Sequence, residues 1–149
     1  MTMSLQEISD RLEIQDLLVA YSHAIDFYDW DALDDVFTPD AVIDYTEMGA
    51  PRGTLAETKA YLAEVLPTMP GTQHMVATTK LTFDGDVAYG RTICHNPLLI
   101  PTGGDEPHVM FCGLWYRDTF VRTVDGWRIR ERYEKRGYIC NAPDADIRD

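Results

Sequence analysis

The chain has 149 residues, of which 45% are hydrophobic and 26% charged, and a formal net charge of −12 at pH 7. This length and apolar content predict a single globular domain, residues 1–149, with a short tail at about residues 141–149. The negative charge, with no basic cluster to offset it, opposes binding to nucleic acid or to an anionic membrane. No apolar run reaches the roughly 20 residues that a membrane-spanning helix needs. We therefore expect neither nucleic acid nor a membrane as a partner.

The cysteines and histidines do not predict a metal or a disulfide framework. Cys94, Cys112 and Cys140 form an odd set without paired spacing, and the N-terminus lacks a basic start followed by an apolar run. Reduced thiols in a cytoplasmic protein are therefore expected. His108 near Cys112 and His95 beside Cys94 lack the paired spacing of zinc ligands, and no phosphate-binding or nicotinamide motif is present. We expect no metal and no cofactor.

The first predicted element is a helix. Apolar side chains recur at helical spacing at Ile14, Leu17, Leu18, Tyr21, Ile25 and Tyr28. An earlier stripe of Leu5, Ile8 and Leu12 is slightly out of phase, which favours a bent or two-part helix. Both stripes are expected to face the core.

A short helix and a strand come next. Residues 30–37 predict a helix that stops before Pro39, because proline disfavours helical geometry in the residue that precedes it. Residues 41–45 then predict a strand.

The rest of the chain predicts one more helix and several long strands. Thr54 and Glu57 have the spacing of a capping box, which predicts a helix that runs to about Leu66. Asp84-Gly85 and Asp125-Gly126 are typical of hairpin turns. The predicted strands are residues 74–83, 87–99, 109–123 and 127–139. Helices first and antiparallel strands after them predict an α+β fold.

Asp26 and His74 are the first candidates for chemistry. A carboxylate beside an imidazole fixes the ring tautomer and stabilises the imidazolium, so such a pair is suited to removing a proton next to a carbonyl. On an ideal helical wheel, Asp26 lies away from the centre of the apolar stripe, which leaves a solvent-exposed carboxylate as the alternative. For His74, an ordinary structural histidine at a strand start is the alternative.

The setting of these two residues resembles a known family. Asp26 follows Tyr21 on a helix, Phe37-Thr38-Pro39 ends the short helix, and Gln73-His74 follows a proline-broken helix. This order is similar to the SnoaL-like branch of the nuclear transport factor 2-like superfamily, and within it to the scytalone dehydratases, over about residues 5–138. The resemblance implies a cone-shaped α+β fold, in which N-terminal helices pack on a strongly curved, mixed and mostly antiparallel sheet that encloses a pocket. It does not by itself imply a reaction.

The resemblance also implies residue roles. Asp26 and His74 match an aspartate and a histidine that pair in the pockets of scytalone dehydratase and hexachlorocyclohexane dehydrochlorinase. Tyr45 matches a tyrosine that helps to bind water against the substrate carbonyl, where a neutral phenol would stabilise an enolate oxygen. Tyr21 matches, more loosely, the oxyanion-hole tyrosine of ketosteroid isomerase, with core packing as the alternative.

His95 and Arg132 are candidates for substrate binding. His95 lies two positions from the place of a second pocket histidine in scytalone dehydratases. Residues two positions apart on a strand point to the same face, so His95 would share the face of that histidine. Arg132 matches the pocket arginine of the dehydrochlorinase, where it would favour an anionic or halide leaving group; a solvated strand residue is the alternative. Trp115 and Arg117 stand near the serine and asparagine of scytalone dehydratases, and Ile25 replaces a second tyrosine. Substrate identity therefore does not carry over.

Together these features predict a cofactor-free lyase that removes water from a small cyclic or aromatic, polyketide-like hydroxyketone. His74 would act as the base, oriented by Asp26, and Tyr45 would stabilise the enolate. His74 could also return its proton to the departing hydroxyl, with His95 or Arg132 assisting. A dehydrohalogenase or isomerase that uses the same pair, a non-catalytic binding protein and a protein like the small subunit of ring-hydroxylating dioxygenases are the alternatives. The resemblance further implies a homodimer or homotrimer.

Overall fold

The computed structural model describes residues 2–143. In this part of the chain the helices and strands are Leu5–Asp26 (α1), Phe37–Asp44 (β1), Arg52–Thr54 (β2), Leu55–Val65 (α2), Gly71–Thr72 (β3), Met75–Asp84 (β4), Val87–Ile100 (β5), His108–Thr123 (β6) and Gly126–Cys140 (β7). The predicted long strands are all present within two residues of their expected bounds. Gly85 and Gly126 take positive φ angles of 59° and 101° in the two predicted hairpin turns.

The strands form one sheet in the order β2-β1-β7-β6-β5-β3, and β4 pairs with β5. β1 runs parallel to β7, whereas the other pairs are antiparallel. Register shifts interrupt β4–β5 once and β6–β7 twice, and such bulges bend strands and increase their twist. Two helices on a mixed, mostly antiparallel, curved sheet confirm the predicted α+β fold.

Helix α1 is continuous, and this corrects one expectation about its apolar residues. Its inner face buries Ile14, Tyr21 and Ile25, among others. Leu5 and Leu12 of the earlier stripe are 86% and 56% exposed, so the prediction that this stripe faces the core is wrong. In the first turns of α1 the buried residue is Asp10. Its carboxylate accepts hydrogen bonds from Arg122 and from the Trp127 indole. Because the helix runs unbroken from Leu5 to Asp26, its buried face continues through Asp10, and Leu5 and Leu12 are left exposed.

The connection from α1 to β1 also differs from the expectation. A five-residue 3₁₀ helix, Asp31–Asp35, replaces the predicted helix at residues 30–37. Strand β1 then starts at Phe37 and runs through Pro39, where the pairing with β7 is irregular. An irregular ladder tolerates proline because no hydrogen bond from its nitrogen is needed there.

Helix α2 begins with the predicted capping box. The Thr54 hydroxyl accepts a hydrogen bond from the Glu57 backbone N–H at 3.3 Å, and the Glu57 carboxylate accepts one from the Thr54 backbone N–H at 2.8 Å. Its inner face buries Leu55, Thr58 and Leu62 against the core. Neither helix of the described chain combines the length and apolar character that crossing a membrane requires.

Candidate active site

Asp26 is the last residue of α1, where the chain turns sharply. Phe27 caps the helix, and Tyr28 takes a φ of 59°. A carboxylate at this end of a helix is disfavoured by the helix dipole, so it needs a favourable partner elsewhere. The partner comes from the short connection between β3 and β4, which carries His74.

Asp26 and His74 form the contact that the sequence predicts. The Asp26 Oδ1 atom lies 2.7 Å from His74 Nδ1, and Asp26 Oδ2 accepts the backbone N–H of His74 at 2.8 Å. The Asp26 side chain is 18% exposed and that of His74 is 9% exposed, so the solvent-exposed alternative for Asp26 is wrong. A carboxylate only accepts hydrogen bonds, so Nδ1 carries the ring proton and Nε2 keeps a lone pair.

Asn96 completes a chain of hydrogen bonds around the imidazole. Its amide nitrogen lies 3.0 Å from His74 Nε2, and its amide oxygen accepts a hydrogen bond from the Thr72 hydroxyl at 3.0 Å. Asn96 is a candidate that sequence reasoning missed. The alternation of apolar and polar residues along β5 does not reveal which face is buried, because the two faces are similarly apolar. One face carries Thr92, Cys94, Asn96 and Leu98, and the other carries Ile93, His95, Pro97 and Leu99.

His95 lies on the opposite face of β5 from Asn96. Its ring contacts the Tyr138 hydroxyl at 2.9 Å and stacks on Phe111 with ring centroids 5.9 Å apart. Because Cys94 and Asn96 point inward, the residue between them must point outward. The prediction that His95 lines the pocket is therefore wrong.

Tyr21 and Tyr45 meet inside the molecule. Their hydroxyl oxygens are 2.7 Å apart, and the ring of Tyr21 also stands edge-on to His74 with centroids 6.4 Å apart. Burial raises the pKa of Tyr21 to about 12, against a smaller opposing effect of the nearby Arg132. Burial also holds the pKa of Tyr45 well above its usual value. Both phenols therefore stay neutral, and since one donates to the other, the pair keeps one O–H free for a ligand.

Arg132 lies beneath Tyr21 rather than at the pocket surface. Its guanidinium makes two 2.8 Å hydrogen bonds to Asp118 and is fully buried. It lies 4.1 Å from the ring centroid of Tyr21 and 3.9 Å from that of Tyr116. Arg132 is not among the residues that line the cavity, so the prediction that it contacts a substrate there is wrong. Its Nη1 atom has no hydrogen-bond partner among residues 2–143. Its positive charge still acts on the Tyr21 hydroxyl and favours a lower pKa there, although the effect of burial is larger.

A cavity of about 180 Å³ brings the candidate groups together. Its polar lining consists of Tyr21, Tyr45, Tyr61, His74, Asn96 and Glu134. Its apolar lining includes Met48, Met69, Met110, Leu62 and Leu114. An engineered cavity of about 150 Å³ is known to hold benzene, so this one matches a molecule with a single ring. A larger cavity of about 440 Å³ between α1 and β4 contains none of these polar groups.

Glu134 is a functional candidate that sequence reasoning missed. Trp127 and Ile129 of β7 point inward, and strict alternation would then bring Glu131 inward. A register shift, in which Phe120 pairs with Ile129 but Thr119 with Glu131, inserts one extra residue. The bulge reverses the alternation and turns Arg132 and Glu134 inward. Burial raises the pKa of Glu134 to about 8; attraction from Arg132 opposes this shift, and repulsion from Asp118 adds to it.

No group of three or more metal-ligating side chains occurs among residues 2–143. What the cavity contains is an acid-base set: an imidazole held by a carboxylate, a pair of neutral phenols and a carboxyl group that keeps its proton at neutral pH. Such a set is able to move protons on a bound molecule.

Comparison with known proteins agrees with this architecture. The uncharacterized protein Rv2910c of Mycobacterium tuberculosis is 52% identical over 132 residues, which cover 89% of this chain and 88% of that protein. The crystal structure of the Kfla4162 protein from Kribbella flavida has a TM-score of 0.82 at 27% identity, and the match covers 91% of this chain and 95% of that one.

Two structures with named activities share the fold at lower identity. A type 2 hexachlorocyclohexane dehydrochlorinase (LinA) has a TM-score of 0.80 at 18% identity, covering 95% of this chain and 94% of its own. A proposed scytalone dehydratase from Novosphingobium aromaticivorans has a TM-score of 0.79 at 19% identity, covering 94% and 92%. The family model of the SnoaL-like domain matches residues 6–133 of this chain. The chain therefore belongs to the SnoaL-like family, within the nuclear transport factor 2-like fold.

Proposed function

We propose that this protein is a cofactor-free lyase that removes the proton α to a carbonyl and eliminates water from a small cyclic hydroxyketone. The observation that carries the proposal is that an Asp26-bound His74 and the Tyr21–Tyr45 hydroxyl pair line the same cavity. The first supplies a base, and the second supplies a hydrogen-bond donor for the oxygen on which negative charge develops.

His74 Nε2 is the atom that takes the proton, after the bound substrate displaces the Asn96 N–H from its lone pair. The hydrogen bond from Nδ1 to Asp26 fixes the ring tautomer and places a carboxylate beside the imidazolium that forms. The second bond, from the His74 backbone to the same carboxylate, fixes the ring relative to the cavity. A base held in this way loses little freedom when the proton is transferred.

Asn96 adapts the site to both charge states of His74. In the neutral state its N–H donates to Nε2, while its oxygen accepts from Thr72. An imidazolium needs an acceptor at Nε2 instead. Rotation of the amide by half a turn presents its oxygen to Nε2–H and its N–H₂ to the Thr72 hydroxyl, which accepts as well as donates. Asn96 is thus a positioning residue for the proton on His74.

Tyr45 and Tyr21 stabilise the enolate. A neutral phenol at the carbonyl oxygen donates a hydrogen bond that strengthens as charge grows there. Arg132, 4.1 Å from the Tyr21 ring, favours that charge from below without contacting the substrate. Its ion pair with Asp118 limits how far this field extends.

The cavity favours a neutral substrate with one ring. No lysine or arginine is among the described residues that line it, so an anionic substrate would lose its hydration without gaining a counterion. Leucine and methionine side chains form most of the apolar wall, and methionine adapts to irregular shapes. A hydroxylated cyclic ketone fits this volume and polarity.

The structure supports dehydrohalogenation less than the sequence does, because Arg132 does not line the cavity in which a halide would leave. Isomerisation stays as the second candidate. It uses the same base and the same phenol pair but needs no acid for a leaving group.

The test is α-deuterium exchange of cyclohexanone in deuterated buffer, followed by dehydration of β-hydroxycyclohexanone. His74→Ala should slow both reactions by roughly 100- to 10,000-fold, the range that general-base catalysis contributes. Asp26→Asn should have a similar effect, because the amide cannot stabilise an imidazolium. Tyr45→Phe should have a smaller effect, since Tyr21 retains a hydroxyl.

His23→Ala is the matched control, because His23 is an exposed histidine on the same helix as Asp26. It should leave both rates unchanged. If the wild type binds cyclic ketones but catalyses neither reaction, the protein is a non-catalytic binding protein and the proposal is wrong.

A further inference from the structure

Glu134 is a buried acid in the cavity to which the proposed base step gives no role. Its side chain is inward on β7, and the residue is only 8% exposed. Among residues 2–143 no hydrogen bond holds its carboxyl group; burial and the charges of Arg132 and Asp118 account for its altered pKa. Its oxygens are not among the fully buried side-chain atoms that lack a partner, so the carboxyl group is open to the cavity and can contact a bound molecule there.

The groups around Glu134 leave it protonated at neutral pH. Arg132 on its own strand and Asp118 on β6 form an ion pair, so their charges largely cancel. His74 lines the same cavity. The other titratable groups near Glu134 are Tyr116 and Cys112 on β6, Cys94 on β5, Tyr21 on α1, Tyr45 at the end of β1 and Tyr61 on α2. The resolved pKa shifts of these hydroxyls and thiols are all upward, so they remain neutral and bring no positive charge near the carboxyl group.

We propose that Glu134, as a neutral carboxylic acid, donates a proton to the hydroxyl group that leaves the substrate. Acid and base are then separate residues, with His74 on the β3–β4 connection and Glu134 on β7. This role rests on the proposed lyase function and deepens it.

The proposed elimination moves two protons and forms one C=C bond. His74 takes the α-proton, and the electrons of the C–H bond form the enolate. The enolate electrons then form the C=C bond as the carbonyl is restored, the C–O bond to the β-hydroxyl breaks, and the hydroxyl takes the Glu134 proton and leaves as water. The products are an enone and water, with His74 as imidazolium and Glu134 as carboxylate. Transfer of one proton from the first to the second, through water, restores the resting state.

The His74 imidazolium is the competing donor in the cavity, and a dehydration rate that is unchanged in Glu134→Gln would assign the step to it. The remaining groups are poorer donors. His95 is on the outer face of the sheet, and Arg132 is committed to Asp118. The hydroxyls of Tyr21 and Tyr45 are much weaker acids, because burial raises the pKa of both. A carboxyl group that is protonated near neutral pH, but acidic enough to release its proton, matches the needs of a leaving hydroxyl better.

The experiment compares Glu134→Gln with His74→Ala in three reactions. The first is α-deuterium exchange of cyclohexanone, the second is dehydration of β-hydroxycyclohexanone, and the third is elimination of chloride from β-chlorocyclohexanone. Chloride leaves without a proton. Glu134→Gln should therefore slow dehydration by roughly 100-fold or more, whereas exchange and chloride elimination should change by less than about threefold. His74→Ala should slow all three.

Two further measurements distinguish a catalytic role of Glu134 from a structural one. Wild-type dehydration should decline above about pH 8, where Glu134 loses its proton, and this decline should be absent from the residual activity of Glu134→Gln. Glu134→Asp keeps an acid at this place and should recover part of the rate, and it serves as the second variant if Glu134→Gln fails to fold.

The outcomes distinguish this inference from the proposed function. A wild type that performs neither exchange nor elimination removes both. A wild type that performs both, with dehydration unaffected by Glu134→Gln or with all three reactions slowed equally, overturns only the role of Glu134.

Discussion

Replacing Glu134 by glutamine should change how stability depends on pH. In the unfolded chain this carboxyl group loses its proton near its ordinary pKa of 4.5, whereas in the folded protein burial raises that pKa to about 8. Between these values folding requires the uptake of one proton. The free energy of unfolding therefore falls as pH rises, by about 1.4 kcal/mol per pH unit. The favourable contribution is complete below pH 4.5 and lost by about pH 8.

The full difference between the two pKa values corresponds to roughly 5 kcal/mol, as an upper limit. Glutamine has nearly the same shape and does not titrate. The stability of Glu134→Gln relative to the wild type should thus increase by about 3 kcal/mol between about pH 5.5 and 8.5. Differences in packing or hydrogen bonding add an offset that does not depend on pH.

Urea unfolding of both proteins at several pH values and constant ionic strength measures this difference. Subtracting the two curves cancels the titration of the other carboxylates. If the difference stays constant within about 0.5 kcal/mol over this range, Glu134 is not held neutral by burial, and the reasoning that makes it a proton donor is refuted.

Two other predictions concern the buried ion pair and the outer sheet face. Asp118→Asn should lower the free energy of unfolding by about 3 to 5 kcal/mol, because it leaves the Arg132 charge buried without a counterion. The double variant Asp118→Leu/Arg132→Met should recover much of the loss in thermal unfolding; a double variant as unstable as the single one would contradict this explanation. Ile93 and Trp115 face each other on the outer side of β5 and β6, and both are exposed, so we expect the protein to self-associate through this face as a dimer or trimer. Sedimentation should show a smaller species for Ile93→Glu/Trp115→Glu, and a wild type that stays monomeric at all concentrations would exclude self-association.

Local sequence signals were enough for most of the secondary structure. The Thr54 and Glu57 capping box starts α2, and the two Asp-Gly pairs make the hairpin turns. These features depend on neighbouring residues, so their physics is contained in a few positions of the chain. The pairing of Asp26 with His74 is not local, and it could be predicted because the order of elements resembles a family with the same arrangement.

The sequence could not decide which side of the sheet several residues face. His95 and Asn96 are neighbours on a strand whose two faces are similarly apolar, and only the packed sheet shows that Asn96 reaches His74. On β7, one inserted residue turns Glu134 into the cavity. A bulge depends on how two strands pair over their whole length, so no local pattern of β7 alone reveals it.

Whether the charge of Arg132 is available to a ligand was likewise decided by the tertiary structure. From the sequence, this arginine is available to a ligand; in the folded protein Asp118, 14 positions earlier, occupies it from the neighbouring strand. The sequence by itself determined which chemical groups the chain carries and in which elements they lie. The tertiary structure decided which of them are free to act, because burial and pairing depend on contacts between residues that are distant in the chain.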